Sequence, residues 1–344
     1  MPQALGARQG MGLQSLEPDS NILRMILIRK SLPVVATLSA VSALVLAGCG
    51  TDLDTDPPST SPQIIATTSI WADITSQALC SVAVEPIIPL GSDPHAWEPS
   101  IRTRGDLEAA RFVVANGLNL EEGLLDLLDT VESAGTTVVH MSDHVDVLPI
   151  GTGDTDHDTD HDTDHDHDGA DPHIWLDPVR VIGALPAIVE AAVATGGDEE
   201  ELSLCAEAYA DELRDLDAEI RTTMASIPDA NRFLVTNHDA LAYFADRYDF
   251  EVIGTVIPST STMAEANPAD LADLASVITE LGIPAIFADA QTSDIDAEAV
   301  ADRLDGVIVV PLLTGSLTSG VEDASNYLSM IRHNAELITS ALTP

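Results

Sequence analysis

The chain has very little positive charge. Lys30 is its only lysine, and 14 basic residues stand against 57 acidic ones, which gives a formal net charge of −43. Binding to a nucleic acid backbone depends on lysine and arginine side chains that displace counterions, so a chain this acidic would be repelled. Nucleic acid is therefore excluded as a partner. The acidity otherwise indicates a solvated surface and favours cations as ligands only weakly.

Long hydrophobic runs are also scarce. One apolar stretch, residues 32–46, lies near the N-terminus and is too short and too early to indicate a polytopic membrane protein. The chain nevertheless has 344 residues, of which 45% are apolar, so it can bury a substantial core. A chain of this length exceeds the usual size of one domain, and two lobes are the natural expectation.

The apolar stretch is typical of an export signal. Arg29 and Lys30 precede it, and it ends in the tetrapeptide Leu46-Ala47-Gly48-Cys49. This tetrapeptide resembles the bacterial lipobox, whose cysteine is lipidated and becomes the first mature residue. One lipid modification tethers a protein to a membrane without spanning it. We therefore predict an extracytoplasmic protein that is anchored to the cell membrane through lipid on Cys49.

Two segments precede the predicted fold. Residues 1–48 are predicted to be the signal peptide, and Met25 is an alternative start because the residues before it do not resemble an export signal. Residues 49–62 are polar and rich in proline, which predicts a flexible stalk.

Only three cysteines are present, and none lies in a CxxC motif. Lipidation of Cys49 would leave Cys80 and Cys205 as an even pair in an oxidising compartment. This pair predicts a disulfide, with two buried thiols as the alternative. Neither cysteine is expected to bind metal.

Strand and helix patterns alternate after the stalk. The predicted strands are residues 63–67, 82–90, 112–115, 136–139, 232–235, 251–257, 285–288 and 307–311. The predicted helices are residues 70–79, 104–110, 184–194, 200–226, 239–247 and 268–281. Such alternation predicts an α/β fold with parallel sheets covered by helices. We expect an N-terminal lobe over residues 63–182, bridging helices over 183–229 and a C-terminal lobe over 230–344.

A low-complexity insert interrupts this pattern at residues 151–169, where the tetrapeptide DTDH recurs. It cannot bury a core and supplies four histidines among aspartates: His157, His161, His165 and His167. Two interpretations remain open. The insert is either a solvated acidic linker or an auxiliary loop that collects zinc at low affinity and raises its local concentration.

A short motif occurs twice around a histidine. Residues 93–99 read DPHAWEP, and residues 171–178 read DPHIWLDP. The proline before each histidine restricts the backbone, and the tryptophan two residues later can pack beneath the turn. Each imidazole is thus presented from a stiff loop. The doubled motif favours His95 and His173 as metal ligands over ordinary loop histidines.

A third histidine follows a predicted strand, in the segment Thr236-Asn237-His238-Asp239-Ala240. Ligands of α/β proteins bind in the crevice at the carboxyl ends of strands, which is where His238 is expected. By itself it could equally cap the next helix. Together with the doubled motif it completes a candidate three-histidine site.

These motifs resemble those of the metal-binding subunits of ABC transporters for zinc and manganese, the ZnuA-like and TroA-like proteins. The lipobox, the DPHxW repeats, the His/Asp-rich insert, the segment NHDALAYFADRY and the C-terminal NYLSMIRHN (residues 326–334) carry the resemblance. It implies two α/β lobes joined by a long rigid helix, with metal in the cleft between them. It also implies that His95 and His173 come from the first lobe and His238 from the second.

The ligand types bear on the choice of metal. Three neutral imidazoles suit Zn²⁺, whereas Mn²⁺ prefers more carboxylate oxygen. Manganese-binding members of the family tend to have a carboxylate where His238 stands. Many relatives also have an aspartate ligand late in the second lobe, where this chain has Gly315. The fourth position is therefore open, and Asp289, a water molecule and Glu98 are the candidates.

The function implied by the resemblance is capture of Zn²⁺ and its delivery to an ABC permease and its ATPase, by a monomer that is not an enzyme. A manganese-binding member of the same family and a zinc-binding adhesin or storage lipoprotein are the alternatives. A zinc hydrolase is a further alternative, but the sequence has no HExxH motif and no obvious general base.

Overall fold

The computed structural model describes residues 63–150, 169–319 and 324–343. The predicted signal peptide, Met25, Cys49 and the stalk lie outside the described residues. So do the four insert histidines: His157, His161, His165 and His167.

The first lobe contains a four-stranded parallel sheet with the strand order β2-β1-β3-β4. Its strands are β1 (Ile64–Ala66), β2 (Val84–Pro86), β3 (Phe112–Ala115) and β4 (Val138–His140). Its helices are α1 (Ser69–Ala78), α2 (Ile101–Glu108) and α3 (Leu125–Ser133). Because the strand order reverses direction between β1 and β3, the carboxyl ends of these two strands open a crevice.

Two long helices follow the first lobe, α4 (Pro178–Ala194) and α5 (Glu199–Met224). The Asp177 carboxylate accepts a hydrogen bond from the Val179 backbone N–H, and Pro178 occupies the first helical position, where no N–H is needed. The helix predicted from residue 184 therefore begins at Pro178. The 26-residue helix α5 packs against both α4 and α1.

The second lobe repeats the architecture with the strand order β6-β5-β7-β8, all parallel. Its strands are β5 (Phe233–His238), β6 (Glu251–Ile257), β7 (Ala285–Asp289) and β8 (Ile308–Leu312). Its helices are α6 (Ala242–Tyr248), α7 (Pro268–Leu281), α8 (Ile295–Ala301) and α9 (Tyr327–Leu342). Since α9 contacts both β8 and α5, the long helix α5 links the two lobes.

One apolar core is shared by the two lobes. It contains Ile64 and Phe112 from the first sheet, Leu234 and Phe287 from the second, and Leu213 from α5, all buried. Two smaller clusters lie within the single lobes. Full separation of the lobes would expose part of the shared core to water. This exposure costs about 25 cal/mol of free energy for each Å² of apolar surface. This packing favours small adjustments over wide opening.

The predicted α/β class with two parallel sheets is confirmed, with local differences. The predicted strand 82–90 is reduced to β2, because the chain turns after Pro86 toward the first motif. Strand β5 continues beyond residue 235 to His238. Helices α3 and α8 are not predicted from the sequence, although α3 has buried Leu128 and Val131 at helical spacing. Most other predicted elements begin and end within about three residues of those observed.

Cys80, just after α1, and Cys205, in α5, form a disulfide in the structure. It joins the first lobe to the linking helix. No helix within the described ranges has the length and hydropathy needed to cross a membrane.

Candidate metal centre

Both copies of the DPH motif fold into the same turn. The Asp93 carboxylate accepts a hydrogen bond from the His95 backbone N–H at 3.0 Å, and Asp171 accepts one from the His173 backbone N–H at 2.9 Å. Aspartate commonly bonds the backbone two residues ahead in this way. The repeated sequence therefore encodes the same aspartate-to-backbone hydrogen bond just before each imidazole.

The loop that carries His173 is tied to both lobes. The Asn116 side-chain amide, just after β3, donates to the Pro172 carbonyl at 2.8 Å. Buried Trp175 packs beside His173, with ring centroids 5.4 Å apart, and its indole N–H donates to the Thr314 carbonyl at 2.7 Å. The tryptophan of the second motif thus packs against its histidine, as the motif predicts.

The second lobe supplies His238 and Asp289 from adjacent strands. His238 ends β5 and Asp289 ends β7, so the parallel arrangement brings them to the same edge of the sheet. The His238 Nδ1 atom lies 2.6 Å from Asp289 Oδ2. The other oxygen of this carboxylate accepts a hydrogen bond from the Thr314 hydroxyl.

The three predicted histidines converge, and all three are buried. The His173 Nε2 atom lies 3.4 Å from Nε2 of His95 and 3.1 Å from Nε2 of His238. Three nitrogens bound to one Zn²⁺ at about 2.0–2.1 Å in a tetrahedral arrangement would be about 3.3–3.4 Å apart. The observed spacing therefore suits a single bound cation.

The cavity at these histidines is small. Its volume is about 10 Å³, and its lining includes the three imidazoles, Asp289 and Gln291. A space of this size holds roughly one water molecule or one ion. It excludes an organic substrate.

The surrounding carboxylates determine which ring nitrogens face the cavity. Asp171 Oδ1 already accepts the His173 backbone N–H and lies 2.7 Å from His173 Nδ1, so that ring nitrogen donates to it. Asp289 likewise accepts a hydrogen bond from the Nδ1–H of His238. Carboxylates that bind the remote nitrogen of a metal-ligating histidine orient the ring and raise its basicity. The Nε2 atoms are consequently turned toward a cation.

Burial lowers the pKa of each of the three histidines, and the Asp289 carboxylate sets His238 apart. Burial, together with the neighbouring rings of His173 and His238, lowers the pKa of His95 to about 2. Burial also holds the pKa of His173 well below its ordinary value. Burial acts in the same direction on His238, but the charge and hydrogen bond of Asp289 outweigh it and raise the pKa of His238. The ion pair correspondingly lowers the pKa of Asp289 against its burial.

The candidates for a fourth ligand occupy different places. Asp289 directs its two oxygens to His238 and Thr314 and so positions the ligand ring. Glu98 is exposed and does not line the cavity. Gly315 does line it, and a Cβ atom at this position would lie only 2.9 Å from Pro94 Cδ. The first motif therefore packs closely against Gly315.

Several residues at the site escape prediction from the sequence. Asp171, Glu122, Ser261 and Thr262 all contact histidine loops or the carboxylates beside them. For Asp171 a signal exists, because it is the first residue of a repeated motif. The other three lie in segments that carry no repeated or metal-binding pattern.

Two α/β lobes around a buried, cation-sized site define a two-lobed solute-binding protein. The chain belongs to the family described as ZnuA, zinc-uptake complex component A, periplasmic, whose model matches residues 64–341. Members of this family are the metal-binding, substrate-binding components of ABC transporters and are not enzymes. The zinc hydrolase alternative is therefore excluded.

The chain is similar to metal-binding proteins of several bacteria. The manganese-binding lipoprotein MntA of Bacillus subtilis is 30% identical over 319 residues, covering 90% of this chain and 98% of that protein. MntA of Halalkalibacterium halodurans is 28% identical over 306 residues, covering 88% and 96%. The zinc-binding protein TroA of Treponema pallidum is 29% identical over 291 residues, covering 82% and 89%.

The solved structure of periplasmic zinc-binding TroA from Treponema pallidum has the same fold. It superposes with a TM-score of 0.72 at 26% identity and covers 83% of this chain and 100% of that one. The Mn-bound serine-to-alanine mutant of a periplasmic metal-binding protein from Candidatus Liberibacter asiaticus has a TM-score of 0.69 at 23% identity, covering 82% of this chain and 99% of that one.

Proposed function

We propose that this protein captures Zn²⁺ outside the cytoplasm through His95, His173 and His238 and delivers it to an ABC permease. The convergence of three buried Nε2 atoms at separations of 3.1 and 3.4 Å carries the proposal. Two of the rings are also oriented by carboxylates on their remote nitrogens. A cation is the group that such an arrangement of nitrogens recognises.

The donor set favours zinc over manganese as the cargo. The three nearest donors are imidazole nitrogens, which suit Zn²⁺, and the nearest carboxylates are engaged with the remote ring nitrogens. With Gly315 in place of an acid and Asp289 engaged by Thr314, we assign the fourth position to a water molecule. Asp289 is then a positioning residue rather than a ligand.

Manganese import is the second candidate, because both MntA relatives are manganese-binding lipoproteins by name.

Those names also support the proposed anchor at Cys49, which would keep the protein at the cell membrane near its permease and ATPase. We further propose that it acts as a monomer and that the insert histidines collect zinc at low affinity. These histidines are His157, His161, His165 and His167.

Calorimetric titration of the mature protein tests the choice of metal. We expect one tight zinc site and manganese binding weaker by at least about a thousand-fold, because Mn²⁺ binds nitrogen ligands most weakly of the divalent first-row metal ions.

Growth of cells that lack the gene tests the same choice. These cells should grow poorly under zinc limitation and recover with added zinc. Recovery with manganese but not zinc would assign the protein to manganese import.

The affinity for zinc should depend on pH through His238. Zinc must displace a proton from His238 Nε2, and the pKa of this residue is raised, so affinity should fall about tenfold per pH unit below that pKa. The decline should therefore begin at a higher pH than for an ordinary histidine. Titrations between pH 5 and about pH 8.5 would measure it.

An Asp289→Asn variant separates this effect on zinc affinity from unfolding of the protein at low pH. Loss of the carboxylate lets burial dominate, so the pKa of His238 should fall and the pH dependence should move to lower pH. At high pH the variant should bind zinc about 10–100-fold more weakly, because the ring loses its orienting partner. An unchanged pH midpoint would show that Asp289 does not control His238.

A further inference from the structure

Two hydroxyl groups of the second lobe contact the first lobe beside His95. Ser261 and Thr262 lie in the loop between β6 and α7. The Ser261 hydroxyl donates to a carboxylate oxygen of Glu122, and the Thr262 hydroxyl donates to Asp93 Oδ2 at 2.6 Å. We name Ser261 and Thr262 the clasp.

Both acceptors of the clasp also face His95. The Glu122 oxygen that receives the Ser261 hydroxyl lies 3.5 Å from His95 Nδ1. The other oxygen of Asp93 accepts the His95 backbone N–H at 3.0 Å. The second lobe therefore holds two carboxylates, one at the ring of this histidine and one at its backbone.

The other two histidines do not depend on the clasp. His173 and His238 each have a buried carboxylate within 2.7 Å of Nδ1, at Asp171 and Asp289. The His173 loop is further fixed by the buried hydrogen bond from Trp175 to Thr314. These contacts lie beside the core that the two lobes share.

His95 is held less firmly. Its Nδ1 atom is buried but has no hydrogen-bond partner among the described residues, and the nearby Glu122 side chain is 38% exposed. The start of the loop is fixed on its other flank, where the Gly91 N–H donates to the Ser316 hydroxyl at 2.8 Å. The clasp is thus the solvent-accessible part of the contacts that hold His95.

We propose that Ser261 and Thr262 are positioning residues that keep His95 in the coordination sphere, and that opening of the clasp detaches His95 first. The ion then remains on His173 and His238, which stay with the shared core, and can pass to an acceptor from the open side. This local route to release suits lobes that share one core. The inference rests on the proposed function, because it concerns the same zinc site.

The double variant Ser261→Ala with Thr262→Val removes the two hydroxyls, together with the hydrogen bond that Ser261 Oγ accepts from the Met263 backbone N–H at 3.2 Å. We expect zinc to dissociate about tenfold faster when a chelator is added in stopped flow, which corresponds to about 1.4 kcal/mol. Zinc association should stay within about twofold, because the cavity is unchanged, and the melting temperature of the metal-free protein should not move.

Thr260→Val is the matched control, because Thr260 lies in the same loop and makes no hydrogen bond with another described residue. The exchange Ser261→Thr with Thr262→Ser restores the hydroxyls and should restore slow dissociation. In a His95→Ala background, the clasp substitutions should have no further effect on equilibrium zinc affinity.

The outcomes separate the two proposals. Wild-type-like dissociation in the clasp variant, or an equal loss of affinity with and without His95, would overturn the role of the clasp while leaving zinc binding intact. Failure of the wild-type protein to bind zinc would overturn both the clasp and the proposed function.

Discussion

Replacing His173 with alanine should lower zinc affinity at least about a thousand-fold, or about 4 kcal/mol. Its Nε2 atom lies 3.4 Å from that of His95 and 3.1 Å from that of His238. Loss of this ring removes one of three nitrogen ligands and leaves the other two facing a gap. Competition with a chelator of known affinity would measure the change.

Two variants keep this result interpretable. His144 is exposed and lies outside the cluster, so His144→Ala should bind zinc like the wild type. His173→Gln retains much of the side-chain volume at a fully buried position, so it should preserve the metal-free melting temperature while still losing affinity. A His173 variant that folds and binds zinc within tenfold of the wild type would remove the basis for the site.

The parts of this site that the sequence predicts are those encoded locally. The DPH motif fixes its own backbone through an aspartate two residues before the histidine, so the repeat in the sequence produces the same hydrogen bond twice. His238 follows a strand whose end lies at the edge of a parallel sheet. Neither feature requires knowledge of distant parts of the chain.

The remaining parts depend on contacts between distant segments. Asp289 meets His238 across 51 positions, and Ser261 meets Glu122 across 139. Strand order decides the first contact and lobe packing decides the second, and no local pattern reports either. Gly315 is a similar case, because the lack of room for a side chain at this position is set by Pro94, which is distant in the sequence. Asp289 can accordingly be identified from the sequence as a candidate ligand, but its role cannot.

Loss of the Cys80–Cys205 disulfide should produce the largest change in stability. The two cysteines are separated by 125 positions, so the crosslink restricts a long loop in the unfolded chain. Removing a native crosslink typically costs about 2–5 kcal/mol in the free energy of unfolding. For the Cys80→Ser, Cys205→Ser variant we expect a melting temperature lower by about 10 °C. Calorimetry and urea titration would measure both quantities.

The disulfide lies away from the three histidines, between the end of α1 and α5, so its loss should leave the zinc site intact. The variant should bind zinc within about twofold of the wild type, and saturating zinc should raise the melting temperature of both, because the ion binds only the folded state. Reduction of the wild-type protein should reproduce the stability of the variant. An unchanged melting temperature would contradict a stabilising role for the crosslink, whereas a parallel loss of zinc affinity would show that the link between the first lobe and α5 also sets the geometry of the cleft.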